Sequence, residues 1–262
     1  MPRRPLISII TVNLNDVKGL ERTLKSVFEQ TWQEFEFIVI DGASSDGSKK
    51  LIESHNEKID RWVSEPDSGI YNAMNKGIEM STGRYLLFLN SGDLLNTNDI
   101  LEESYGHLAH EEIIYFNVLV EEKDQLKLIE YPQQLRFSDL LYGTVCHQSV
   151  FIRKELFYKA GKYDETLKIV SDWKFLIISL FKENCTYKKV DLQLSIVNSE
   201  GISALAENES LILAEREKVI QDHFKAFLKE VEELNDLKFL VENLKKSRKI
   251  NLLVRLGLLK KF

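Results

Sequence analysis

The chain alternates short, almost purely apolar runs with longer segments whose apolar residues recur every three or four positions. Leu6 to Val12 reads as a buried strand. Val17, Leu20, Leu24, Val27 and Phe28 then share one helical face, with Asn15 or Asp16 placed to cap it. The cycle repeats. "FEFIVI" (35–40) predicts a second strand, followed by the turn-rich "DGASSDGS" and a short polar helix near Lys49 to His55. "DRWVSE" (60–65) predicts a short third strand, and Ile70, Ala73, Met74 and Ile78 mark a further helix that Gly83 is placed to end. "RYLLFL" (84–89) is the next strand. Apolar strands alternating with helices predict a Rossmann-like α/β half, a parallel sheet covered on both faces.

The second half reads differently. "IIYFNVLV" and "LKLIEY" flank the charged turn "EEKDQ", which predicts a hairpin. "HQSVFI" predicts another strand and "DWKFLIISLFK" a largely buried helix. From about Glu207 onward the pattern is helical, with no proline.

Composition narrows the class. A hydrophobic fraction of 44% and a charged fraction of 29% over 262 residues suit a soluble α/β domain with a helical appendage. The net charge of −6 excludes a general nucleic-acid binder, because phosphate contacts are made mostly by Lys and Arg. Cys146 and Cys185 are too few for a disulfide framework or a thiolate metal site, and suit a reducing compartment. No run approaches the ~18 apolar residues that span a bilayer. The opening "MPRRPLISIITV" mimics a signal peptide but lacks a small-residue cleavage pattern, so a first buried strand and a cytoplasmic location are expected.

Ligands of open α/β sheets bind beyond the carboxyl ends of the strands. Three of the expected strands end there in polar residues: Thr11 and Asn13, then Asp41, then Asn90 and Asp93. One such Asp is commonly a turn former, but three on one edge point to a site. A carboxylate on a tight turn suits a divalent cation whose shell is completed by a substrate diphosphate and water, which casts Asp93 as a metal ligand. Asp172, in the first turn of the "SDWKFLI" helix, reads equally as a dipole-compensating residue or as a base kept ionised by that dipole.

"ISIITVNLND", "QTWQEFEFIVIDGASSDGS", "SEPDSGIYNAMNKGI", "STGRYLLFLNSGDLL" and "KIVSDWKFLI" occur in an order and spacing that resembles the family 2 inverting glycosyltransferases of surface-polysaccharide synthesis. The resemblance covers roughly residues 6 to 202. It implies a GT-A fold over 1–205, with a nucleotide-binding half (1–95) and an acceptor half (96–205), followed by a helical extension over 206–262. It also implies transfer of a sugar from a nucleotide diphosphate sugar, with uridine diphosphate as the expected carrier and Mn2+ or Mg2+ as cofactor. Thr11, Asn13 and Asp41 would line the nucleoside pocket. Gly42 stands where many members carry a second acid, so Asp67 is expected to share recognition of the base. "NSGD" takes the place of the Asp-x-Asp signature, with Asn90 at the donor and Asp93 on the metal. Asp172 aligns with the catalytic base. His147 and Gln148 would border the sugar-acceptor cleft, although a buried His is commonly just hydrogen-bonded. Trp173 would stack on a sugar or belong to the core, and Lys76 would assist the leaving group or lie on a solvated helix face. "NSEGIS" (198–203) reads as a donor-covering loop hinged at Gly201, or as a surface turn.

"KKSRKINLLVRLGLLKKF" (245–262) holds seven Lys or Arg and no acid, and Ile250, Leu253, Val254 and Leu258 can share a face. A basic amphipathic helix predicts peripheral contact with an anionic membrane, fitting a lipid-linked or saccharide acceptor. Packing on the domain or in a homodimer is the alternative. Two competing functions remain at this level: a nucleotidyltransferase, whose phosphate-gripping basic loop "TVNLND" does not supply, and a non-catalytic sugar-nucleotide binder.

Overall fold

The computed structural model describes residues 6–123, 125–199, 201 and 205–260. The first half alternates as expected: β1 (Ile7–Asn13), α1 (Val17–Phe28), β2 (Phe35–Asp41), α2 (Ser48–Ser54), β3 (Arg61–Ser64), α3 (Ile70–Met80) and β4 (Tyr85–Phe88). Then come β5 (Leu94–Leu95), α4 (Ile100–Tyr105), the hairpin β6 (Ile113–Glu122) and β7 (Gln125–Ile129), α5 (Phe137–Tyr142), β8 (Val150–Arg153), α6 (Lys154–Lys159), α7 (Ser171–Phe181) and β9 (Tyr187–Asn198). Three helices follow: α8 (Glu209–Phe224), α9 (Leu228–Lys246) and α10 (Arg248–Arg255). One compact unit ends at Glu215 and a second begins at Arg216.

The strands form one sheet in the order β3-β2-β1-β4-β8-β6-β9-β5, with β7 on β6. The first four strands are all parallel, and β1 and β2 pair in register so that Asn13 sits opposite Asp41. Beyond β4 the sheet is mixed: β8 runs antiparallel to both β4 and β6, whereas β9 is parallel to β6. One face of the sheet buries Ile7, Ile9, Phe37, Val39 and Leu87 in a core with Leu20, Leu24 and Val27 of α1, the stripe that the helical spacing marked.

Local chemistry explains several boundaries. Asp16 caps α1 by accepting the Gly19 N–H at 2.9 Å. Gly83 does not end α3, which stops at Met80 with extended Ser81 following. It is small because a Cβ there would come within 2.6 Å of the Ser8 backbone nitrogen. His147 and Gln148 lie on a 3₁₀ turn (His147–Ser149), not on the strand expected of "HQSVFI", which starts at Val150. Ser171 is the first residue of α7 rather than its cap, and its hydroxyl accepts the Asp164 N–H.

Candidate active site

The carboxyl ends of β1, β2 and β4 meet at one edge. Asn13 Nδ2 donates to Asp41 Oδ1 at 2.7 Å, while Asp41 Oδ2 accepts the Ser64 hydroxyl at 2.6 Å and the Ser44 N–H at 3.0 Å. Burial pushes the Asp41 pKa up, and these donors together carry it below the ordinary carboxylate value. Asp41 has no exposed surface, so it orders this edge through its neighbours. The Asn13 amide oxygen, by contrast, is buried without a hydrogen-bond partner. Thr11 requires a correction. It is fully buried and its hydroxyl is spent on the Leu89 carbonyl at 2.7 Å, which ties β1 to the end of β4 and leaves nothing for a nucleoside.

Asp67 stands against Gly42: a Cβ at 42 would lie 3.2 Å from Asp67 Oδ2. Its carboxylate therefore occupies space that a longer residue at 42 would need. Lys76 pairs with Asp67 at 2.6 Å and with Glu65 at 2.8 Å, so it is neither free on the helix face nor positioned by itself for a leaving group.

The run that ends on "NSGD" turns on Gly92, whose φ of +92° is the left-handed conformation that favours glycine. Thr23 of α1 pins the turn. Its hydroxyl accepts the Gly92 N–H at 3.0 Å and reaches the Asp93 carbonyl at 2.8 Å. Asp93 is thereby held 6% exposed, with Gln148 Nε2 donating to Oδ2 at 3.0 Å. Burial pushes its pKa up to about 6, against the opposing pull of Gln148 and His147.

Asp172 lies in the first turn of α7. Oδ2 is 2.9 Å from His147 Nδ1, and Oδ1 accepts from the Tyr71 hydroxyl at 3.0 Å. Burial alone would raise its pKa, but His147, the Trp173 N–H and Tyr71 hold it below the ordinary value, so the group is ionised at neutral pH. On the other side of the ring, His147 Nε2 is 3.1 Å from Asn90 Nδ2, a group that only donates. The network thus assigns the ring proton to Nδ1, facing Asp172. Two consecutive residues therefore serve the two acids, His147 on Asp172 and Gln148 on Asp93.

Trp173 is the second correction. It is 2% exposed and its indole N–H donates to the Leu140 carbonyl at 2.7 Å, so it is a core residue without the open face that sugar stacking needs. Tyr71, Thr23, Ser44 and Ser64 were not singled out by sequence. Tyr71, Ser44 and Ser64 left a trace only as members of the quoted motifs, and Thr23 left none. Of the expected loop 198–203, residues 200, 202 and 203 lie outside the described residues.

Among the described residues no three His, Cys, Asp or Glu side chains gather into a metal cage. The donor set fits a more open arrangement. Asp93 offers one carboxylate, and the Asn90 amide oxygen beside it on the turn is buried with no partner. Magnesium-type sites of that kind are completed by substrate phosphates.

Residues 8–174 match the profile described as Glycosyl transferase family 2, and the chain belongs to that family. An uncharacterised glycosyltransferase of Mycobacterium tuberculosis is 32% identical over 182 residues, spanning 68% of this chain and 70% of that one. A PGL/p-HBAD biosynthesis glycosyltransferase of Mycobacterium bovis is 29% identical over 180 residues, spanning 66% and 69%. Among solved structures, S. aureus TarS 1–349 in complex with UDP-GlcNAc matches with a TM-score of 0.63 at 15% identity, covering 85% of this chain and 72% of that one. The architecture is the GT-A fold of glycosyltransferases.

Proposed function

We propose that this glycosyltransferase inverts the anomeric centre of a UDP-sugar, transferring the sugar to a saccharide or lipid-linked alcohol in surface-polysaccharide synthesis. One observation carries the reading: a carboxylate kept ionised, Asp172, and a buried carboxylate, Asp93, are fastened to adjacent residues of one turn. Asp172 would accept the proton of the attacking hydroxyl on a carboxylate lone pair not engaged by Tyr71 or His147. His147 holds the carboxylate in orientation. Asn13 and Asp67 would meet the nucleoside, with Asp67 filling the place left by Gly42. Asp93 and the Asn90 amide oxygen would hold a manganese or magnesium ion against the donor diphosphate. That ion supplies Lewis-acid stabilisation of the charge that develops on the leaving group. UDP-GlcNAc in TarS supports the choice of nucleotide, and the PGL/p-HBAD relative supports a biosynthetic role.

The decisive variant is Asp172→Asn, assayed as UDP release from UDP-glucose, UDP-galactose, UDP-GlcNAc and UDP-GalNAc with manganese. General-base loss costs about 10²–10⁴-fold in kcat. Donor binding, read as the thermal shift each sugar causes, should persist. Transfer that survives Asp172→Asn removes the base, and a wild type stabilised by UDP-sugars but inert with every acceptor would be a binding protein.

Peripheral membrane contact through 245–262 belongs to the same proposal. α10 and the residues after it expose Leu252, Leu256 and Leu258 beside Arg248, Lys249 and Arg255. Leu258 is not on the helix itself. The chain leaves α10 at Arg255 and turns on Gly257, whose φ is +74°.

A further inference from the structure

The segment that delivers Asp172 has no local cap. Val170, the residue before α7, makes no side-chain capping bond. The backbone N–H groups of Lys168, Ile169 and Val170 instead point at a single carboxylate from far along the chain. Glu215 Oε1 accepts the Lys168 N–H at 2.7 Å, and Oε2 accepts those of Ile169 and Val170 at 3.1 and 3.2 Å. Three consecutive amides around one anion form a nest. Glu215 is 8% exposed, and Ile169 and Val170 are buried, so the amides of these two have no water to fall back on. The opposite side of the same peptide is also held, because the Tyr71 hydroxyl reaches both the Ile169 carbonyl and Asp172 Oδ1.

We infer that Glu215 is a positioning residue of the transferase: through the 168–170 nest it sets the angle at which α7 presents Asp172. This rests on the reading of Asp172 as base. Nothing in the "KIVSDW" segment itself supplies an anion for these amides, so the base is aimed by a residue more than forty positions downstream, at the end of the compact unit. A displaced nest would tilt the first turn of α7 and move Asp172 away from its bonds with His147 and Tyr71.

Glu215→Ala empties the nest without touching the site, and a small carboxylate can refill it. UDP release is measured for wild type, Asp172→Asn, Glu215→Ala and Glu215→Gln with the four UDP-sugars and manganese. Glu215→Ala should lose about 10²-fold in kcat, the cost of a misplacement of about 1 Å, with the donor KM unchanged. Sodium formate should restore roughly tenfold of that loss, while sodium chloride at equal ionic strength restores none. Glu215→Gln keeps one acceptor oxygen and should fall between wild type and Glu215→Ala. It carries the test if Glu215→Ala fails to fold. Wild-type kcat in either folded variant overturns the inference, as does a loss that formate does not repair or that chloride repairs equally. A wild type that turns over no UDP-sugar, or an active Asp172→Asn, overturns the function proposed above, and the clamp with it.

Discussion

Asp93 and Asp172 are the same functional group, with pKa values that their surroundings shift in opposite directions. Asp172 has three donors, and its pKa is depressed, so its ionised form contributes stability above the ordinary carboxylate pKa that is lost as pH falls through the folded value. At Asp93 burial outweighs the donors that reach it, and the pKa is raised to about 6. In metal-free protein the Asp93 site therefore binds more protons in the native state than in the unfolded chain between about pH 4 and pH 6, and its contribution to stability falls as pH rises through that window. The displacement is about two pH units, an upper value of about 3 kcal/mol. Asp93→Asn removes the buried charge and keeps an acceptor for Gln148. Urea melts in EDTA should find it more stable than wild type by about 1–3 kcal/mol at pH 7.5, with the gap closing by pH 4. A gap that does not vary with pH would contradict the burial of an ionised Asp93. Both acids were legible as candidates from their place in motifs; that one pKa is lowered and the other raised was not, because partners such as Gln148 and Tyr71 are 55 and 101 residues away in sequence.

Helices act on this site through single contacts. α1 was legible as an amphipathic helix, and its apolar face packs where periodicity placed it. Its polar residue Thr23 does something periodicity does not report: it pins the turn that carries Asp93. Thr23→Val preserves shape and removes the hydroxyl, leaving the Gly92 N–H buried without an acceptor, a cost of about 1–3 kcal/mol. It should also reduce the extra thermal stabilisation that manganese adds to UDP-sugar binding. Stability unchanged in a chemical-denaturation series would show that the turn holds itself. The hairpin β6–β7 and helix α7 were also readable locally, whereas β9, whose pairing with β6 extends the mixed part of the sheet, was not singled out. A strand with mixed burial of this kind takes its identity from its neighbour.

Across the whole chain, charge is unevenly spread. A net charge of −6 coexists with seven basic residues and no acid over 245–262. None of the described helices is long and apolar enough to cross a membrane. Exposed leucines beside cations match an interfacial segment, for which each basic residue near an anionic surface adds about 1 kcal/mol. Deleting 245–262 should abolish sedimentation with phosphatidylserine vesicles and leave UDP release from soluble substrates unchanged. Binding by the wild type should weaken as salt rises, since the Debye length shrinks to about 8 Å at physiological ionic strength. Equal sedimentation of full-length and truncated protein would remove the membrane role.

The sequence by itself determined the order of strands and helices in the first half, the edge at which Asn13, Asp41, Asn90 and Asp93 gather, and the helix that carries Asp172. Those follow from periodicity and turn chemistry, which act over a few residues. Tertiary structure alone decided that Thr11 and Trp173 are buried, that His147 and Gln148 sit on a turn tying the two acids, and that Glu215 holds the loop before Asp172. Those depend on which donors meet which acceptors once the chain has closed on itself. Hydrogen bonds between residues 25 to 101 positions apart leave no periodic trace in the chain.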